Sequence, residues 1–157
     1  MKKIMAVIIA ATVLFALCAC GETAEAPGYT NSEFGFKITL PNGWSKTDTF
    51  SDSAEFAATD GEGNYINVTI IPSYGNSADQ YASTTKSQLE NMVYIFNDDE
   101  TITLGASSFI KITGSSTIMS TYNKEYTYIC ANENNYCIIT VNIYNNQSSN
   151  FEAIFSK

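Results

Sequence analysis

The chain has 157 residues, with 8 Lys and no Arg against 16 Asp and Glu, no His, 45% hydrophobic residues and a net charge of −8. That is enough apolar material for one ordinary domain with a real core, and its acidic surface repels nucleic acid and anionic lipid headgroups. The lack of His and Arg removes Ser-His-Asp and Cys-His nucleophile systems, His-ligated zinc and arginine forks, so any catalysis would rest on carboxylates, Lys, Tyr or Cys.

Met1 to Cys20 reads MKKIMAVIIAATVLFALCAC. Lys2 and Lys3 precede an apolar run from Ile4 to Leu17, and Cys18-Ala19-Cys20 follows. A positive start, an apolar stretch and a small residue before the cleavage point make a secretory signal. At about 14 residues the run is shorter than the roughly 20 a spanning helix needs. The acidic stretch Gly21-Glu22-Thr23-Ala24-Glu25 follows it, with no basic stop-transfer cluster. The end of the leader resembles the lipobox of bacterial lipoproteins: Leu17 at −3, Ala19 at −1, then Cys20. The resemblance implies that Cys20 becomes the mature N-terminus, lipidated on its sulfur. It implies an extracytoplasmic protein anchored to the bacterial cell membrane. Cys18 is the weaker site because bulky Leu17 precedes it. One acyl chain holds a protein only marginally, and a diacylglycerol meets that need. Cleavage removes Lys2 and Lys3 from the 8 basic residues, which leaves 6 against 16 acidic ones and a charge of −10. The expected organisation is a signal peptide over 1–19, the lipidated Cys and a flexible tether over 20–31, and one domain over 32–157.

In the domain, Phe34, Phe36, Ile38 and Leu40 alternate with Gly35, Lys37 and Thr39, the period of a half-buried strand. Pro41-Asn42-Gly43 turns the chain into Trp44, which suits a core anchor at the domain edge. Ala54–Ala58 and Tyr65–Ile71 read as a hairpin around Asp60-Gly61-Glu62-Gly63-Asn64. Ser77 to Phe96 reads as the main helix: Ser77 and Gln80 make a capping box, and Tyr81, Thr85, Leu89, Met92, Val93 and Phe96 share one face. Thr101–Leu104 and Ser108–Thr113 read as short strands, Gly114–Thr117 as a break, and Ile118–Ala131 and Tyr136–Tyr144 as long strands. A second capping box, Ser149 with Glu152, and the apolar Phe151, Ile154 and Phe155 predict a short terminal helix.

The segment Gly35-Phe36-Lys37-Ile38-Thr39-Leu40-Pro41-Asn42-Gly43-Trp44 resembles the opening of the PsbP-like superfamily, which includes the DcrB-like bacterial lipoproteins. The closing residues Phe151 to Lys157 are similar to the usual ending of that family. The resemblance implies an α+β fold: an antiparallel sheet of about five to seven strands, packed by one long helix and a short C-terminal helix. It implies a binding or assembly factor and supplies no catalytic residue, metal ligand or cofactor.

Three groups of residues are candidates for chemistry. Centring a hairpin on Glu133-Asn134 sets Cys130 opposite Cys137 on one face, with Tyr126, Tyr128, Ile139, Val141 and Ile143. A cross-strand disulfide and two buried thiols are both open readings. A redox pair is disfavoured because the Cys-x-x-Cys spacing is absent. Asp60, Glu62 and Asn64 alternate as Ca²⁺ ligands can, yet an EF-hand's Gly and distal Glu are missing, so a plain turn is favoured. Tyr136 and Tyr144 lie on the face opposite Ile139 and Val141. They would form a sugar- or peptide-binding platform if nothing covers them, or pack under the terminal helix if it does. The expected function is a lipid-anchored, non-catalytic binding or assembly module whose partner is an envelope protein or a small ligand. The alternatives are a carboxylate-based enzyme or Ca²⁺-dependent binder of the envelope, and a purely structural lipoprotein.

Overall fold

The computed structural model describes residues 28–48, 52–91, 94–118, 121–144 and 154–156. Within them the chain runs β1 (Tyr29–Asn31), β2 (Phe36–Ile38), β3 (Ser45–Lys46), β4 (Ala54–Thr59), β5 (Tyr65–Pro72) and α1 (Ala78–Glu90). It continues through β6 (Ile95–Phe96), β7 (Glu100–Leu104), β8 (Ser107–Ile118), β9 (Thr121–Ala131), β10 (Asn135–Tyr144) and β11 (Phe155–Ser156). The leader, Cys20 and the tether as far as Ala26-Pro27 lie outside the described residues, as do Ser149, Phe151 and Glu152. Among the described residues no helix is long and apolar enough to cross a membrane.

The strands form two antiparallel sheets. The larger runs β3-β4-β5-β10-β9-β8-β6, with β7 also paired to β8; the smaller is β1-β2-β11. The fold is thus α+β, a mostly antiparallel sheet packed by one helix. The two faces of the large sheet bury different things. Phe56, Ile66, Val68, Phe109, Tyr128, Cys130, Cys137, Ile139, Val141 and Ile143 alternate along their strands onto one face. There they meet Phe34, Phe36, Ile38 and Leu40 from the small sheet and its flanks. Trp44 packs against the rim of this core. On the other face Ile112, Ile129, Tyr136 and Ile138 receive Ala82 of α1. Period-2 alternation explains how one strand serves both layers.

The capping box forms as expected. Ser77 N–H donates to Gln80 Oε1 at 2.8 Å, and Gln80 N–H donates to Ser77 Oγ at 3.3 Å. Tyr81, Thr85 and Leu89 occupy the half-buried side of α1, as their spacing predicts. The helix is shorter than expected, however, ending at Glu90 with Asn91 as its cap. Ile95 and Phe96 are strand, paired to Ser115 and Gly114. Their β-branched and aromatic side chains suit a sheet edge, and the ladder of β8 outcompetes the last helical turn.

Three further expectations are corrected. Gly114–Thr117 is no break but lies inside β8, which pairs with β9 without interruption from Ile110 to Ile118. Gly114 is small there because the rings of Phe96 and Tyr94 lie across it, at 3.0 and 3.1 Å from where a Cβ would stand. Tyr29–Asn31, assigned to the tether, is strand β1, and the Tyr29 ring stacks on Phe56 with centroids 5.2 Å apart. Phe155–Ser156 is strand rather than helix, added to β2 by the pairs Phe155 with Ile38 and Ser156 with Lys37.

Candidate functional site

The pairing of β9 and β10 brings Cys130 directly opposite Cys137, in the expected register. Both are buried, and both are free thiols in the structure. Burial pushes both thiols above their ordinary range, more strongly for Cys137, and so suppresses the reactive thiolate. Their surroundings are those of small core hydrophobes on the face toward the small sheet.

The Asp60–Asn64 segment closes the β4–β5 hairpin. One Asp60 carboxylate oxygen accepts from Glu62 N–H at 2.8 Å and from Asn64 N–H at 3.2 Å, and the other accepts from the Asn64 side chain. Those oxygens hold the turn together. Among the described residues no three His, Cys, Asp or Glu side chains converge as metal ligands.

Tyr136 and Tyr144 share a face but not a site. Eight residues of strand separate them, about 27 Å. Tyr144 stands at the far end of β10, against Gly63 and the Asn64 side chain, which accepts from Tyr144 N–H at 2.7 Å. Tyr136 is covered, and by α1: its ring packs on Tyr81 with centroids 4.7 Å apart, and its hydroxyl donates to Ser77 O at 3.4 Å.

That pair forms the back of a groove. A cavity of about 370 Å³ runs between the end of β5 and the first turns of α1. Ile71 and Pro72 line one side, Gln80, Tyr81 and Thr84 the other, and Ser73, Tyr74 and Asn76 the lip. The lip is built with care. Ser73 is fully buried; its N–H donates to Asn134 O at 2.8 Å, and its hydroxyl reaches the Glu133 and Asn132 carbonyls at 3.3 and 3.4 Å. This pins the β5–α1 loop onto the β9–β10 turn. The next residue, Tyr74, has φ +51° and is 87% exposed. A non-glycine residue in that region is uncommon, and holding an aromatic ring there in water points to a presented contact. The groove therefore offers a protruding ring, a ring pair at its back, and neutral amides and hydroxyls at its edge, with no charged side chain among the described residues that line it.

Sequence reasoning missed Tyr74 and Tyr81 as partners of Tyr136. The only local signal for Tyr74 is its place in Ser73-Tyr74-Gly75-Asn76, a turn composition around an aromatic residue. It also missed Glu125. This residue shares the parity of Ile129 on β9 and so lies on the helix-side face. Burial raises its carboxyl above the ordinary range, while Thr127 and Asn142 hold it down by hydrogen bonds.

No family model matches the chain, and no curated protein matches it. Solved structures do. A protein of Bacteroides thetaiotaomicron VPI-5482 aligns with TM-score 0.58 at 12% identity, over 83% of this chain. The chain spans about half of that protein's length, 46%. LpqN of Mycobacterium tuberculosis, a protein involved in cell envelope biogenesis, aligns with TM-score 0.51 at 13% identity, over 76% of this chain and 73% of its own. At such identities the likeness is one of fold.

Proposed function

We propose that the protein is a lipid-anchored binding module of the bacterial envelope, outside the cytoplasm and without catalysis, whose groove takes a neutral glycan. The aromatic groove carries this reading. A sugar ring presents C–H faces to aromatic rings and hydroxyls to neutral amides, and Tyr74, Tyr81 and Tyr136 with Asn76, Gln80 and Thr84 offer both. The lipobox-like end of the leader would supply the anchor at Cys20, since an acidic chain gains nothing from the charge of a membrane surface. The Gly35–Trp44 segment, with its resemblance to PsbP-like and DcrB-like proteins, fits the same picture of a binding or assembly factor. A fold shared with LpqN is an analogy that supports an envelope setting and assigns no activity.

Binding is tested by titrating wall-glycan fragments, and short peptides as a second arm, into the full chain in non-ionic detergent while following tyrosine fluorescence. The expected result is saturable binding of a glycan that Tyr74→Ala weakens about fivefold, the equivalent of about 1 kcal/mol of aromatic contact. Binding of peptides alone, or glycan binding untouched by Tyr74→Ala, would overturn the reading. The anchor is tested by labelling growing bacteria with radioactive palmitate: Cys20→Ser should lose the label and leave the membrane fraction.

A further inference from the structure

The helix-side face of the large sheet carries a second constellation, away from the groove. One row across four strands reads Tyr65, Asn142, Glu125 and Gly114, each directly opposite the next. The row is about 14 Å wide at three strand spacings. Thr127 Oγ donates to one Glu125 oxygen at 3.2 Å, and Asn142 Nδ2 approaches the other at 3.5 Å. Tyr65 is hydrogen-bonded to Asn142 at one end. Tyr94 lies over Gly114 at the other, stacked with Phe96. Thr127 and Ser116, each 4% exposed, form a polar floor. Among the described residues two buried atoms in and beside this recess have no hydrogen-bond partner: Ser116 Oγ and Asn67 Oδ1. Tyr65, Asn67, Glu125 and Asn142 are half-buried, so the recess is reachable from solvent.

We infer that this recess binds a small organic cation, as a primary ammonium group seated against Glu125 between Tyr65 and Tyr94. The charge balance points there. Lys111 and Lys124 lie on the opposite face, with Nζ 5.3 and 5.0 Å from the Tyr126 ring. Lys86 is paired with Asp99, Lys46 sits over Phe56, and Lys37 belongs to β2 of the small sheet, which packs on the opposite face. Among the described residues Glu125 therefore has no cationic partner, although a sheltered carboxylate is costly without one. Ser116 Oγ, two residues along β8 from the Gly114 that faces Glu125, accepts as readily as it donates, so it can take one of the three donors of an ammonium group while the Glu125 carboxylate takes another. Aromatic rings at both ends of the row add attraction for a cation. The net charge of −8 raises the local concentration of small cations around the whole chain. This inference is independent of the glycan groove.

The test is calorimetric titration of putrescine into the full chain in non-ionic detergent at neutral pH. 1,4-Butanediol serves as the uncharged analogue and CaCl₂ as the inorganic cation. The structure predicts saturable 1:1 binding of putrescine and none of butanediol. Binding should weaken at least tenfold in Glu125→Gln, whose fold is checked by circular dichroism. An independent reading on the unmodified protein uses NMR: putrescine should shift ring protons of Tyr65 and Tyr94 and leave those of Tyr74 and Tyr81 in place. Absence of putrescine binding, equal binding of butanediol, displacement of putrescine by Ca²⁺, full affinity in Glu125→Gln, or shifts centred on Tyr81 would each overturn the assignment.

Discussion

Gly114→Ala tests how the helix-side layer is built, because two effects of opposite sign compete there. Gly in a strand is normally a weakness, and Ala in its place gains about 0.5–1 kcal/mol by restricting the unfolded chain. At this position the new methyl would stand 3.0 Å from Phe96 Cε1 and 3.1 Å from Tyr94 Cδ1. Those separations fall inside the optimum of about 3.5–4.0 Å for carbon pairs. The rings cannot retreat cheaply. Phe96 is held by its own backbone pairing with Gly114, stacks on Tyr94 with centroids 6.4 Å apart, and packs against the layer of Ile112 and Ala82. Overpacking of this kind costs about 1–3 kcal/mol. The balance is a net loss of about 0.5–2 kcal/mol, seen as a melting point lower by about 2–6 °C. Urea unfolding followed by circular dichroism should show a lower midpoint at unchanged slope. Most of the loss should vanish when Gly114→Ala is made on a Phe96→Ala background. An Ala variant as stable as the parent would refute the packing argument.

Three further outcomes are expected. Burial raises the Glu125 carboxyl, so the folded state holds this proton more tightly than the unfolded one. Stability therefore falls as pH rises from the ordinary carboxylate range through the raised folded value. Glu125→Gln should melt above the parent at neutral pH, an advantage that shrinks toward pH 4; melting curves across pH 4–8 that run parallel would contradict this. Ser77→Ala removes the acceptor of the Gln80 N–H and should cost about 1 kcal/mol by urea titration, with Gln80→Ala adding less than its separate cost because the two hydrogen bonds form one box. Cys130 and Cys137 should resist iodoacetamide in the native protein and both react after denaturation without reductant, as mapped on peptides; failure of either to alkylate when unfolded would reveal a disulfide.

What could be read along the chain depended on interactions between near neighbours. The Ser77–Gln80 capping box spans three residues, and the Cys130–Cys137 register follows from a turn only a few residues away, so both were legible and both formed. The strand period at Phe34–Leu40 and along β10 correctly sorted side chains onto faces, since alternation is a property of the strand itself. The helix was overrun because the apolar spacing of Ile95 and Phe96 fits either period; their partner, β8, lies some twenty residues further on. Gly114 read as a break because a missing side chain looks the same whether the chain turns or an aromatic ring needs the room.

The candidate sites were still less legible. Tyr136 was singled out, but with Tyr144 as its partner, because parity reports a face and says nothing of distance along it. Tyr81 and Tyr74 came to Tyr136 through the path of α1 and the Ser73 hydrogen bonds to the β9–β10 turn. Glu125 gained its surroundings from β5, β10 and β8 together, segments separated by tens of residues. Local spacing and turn chemistry act over a few residues and are written in order, so the amino-acid string was enough for element type, face and hairpin register. Strand order, the covering of each face and the burial of a lone carboxyl arise from contacts between distant segments, and these take definite form only once the whole sheet has assembled.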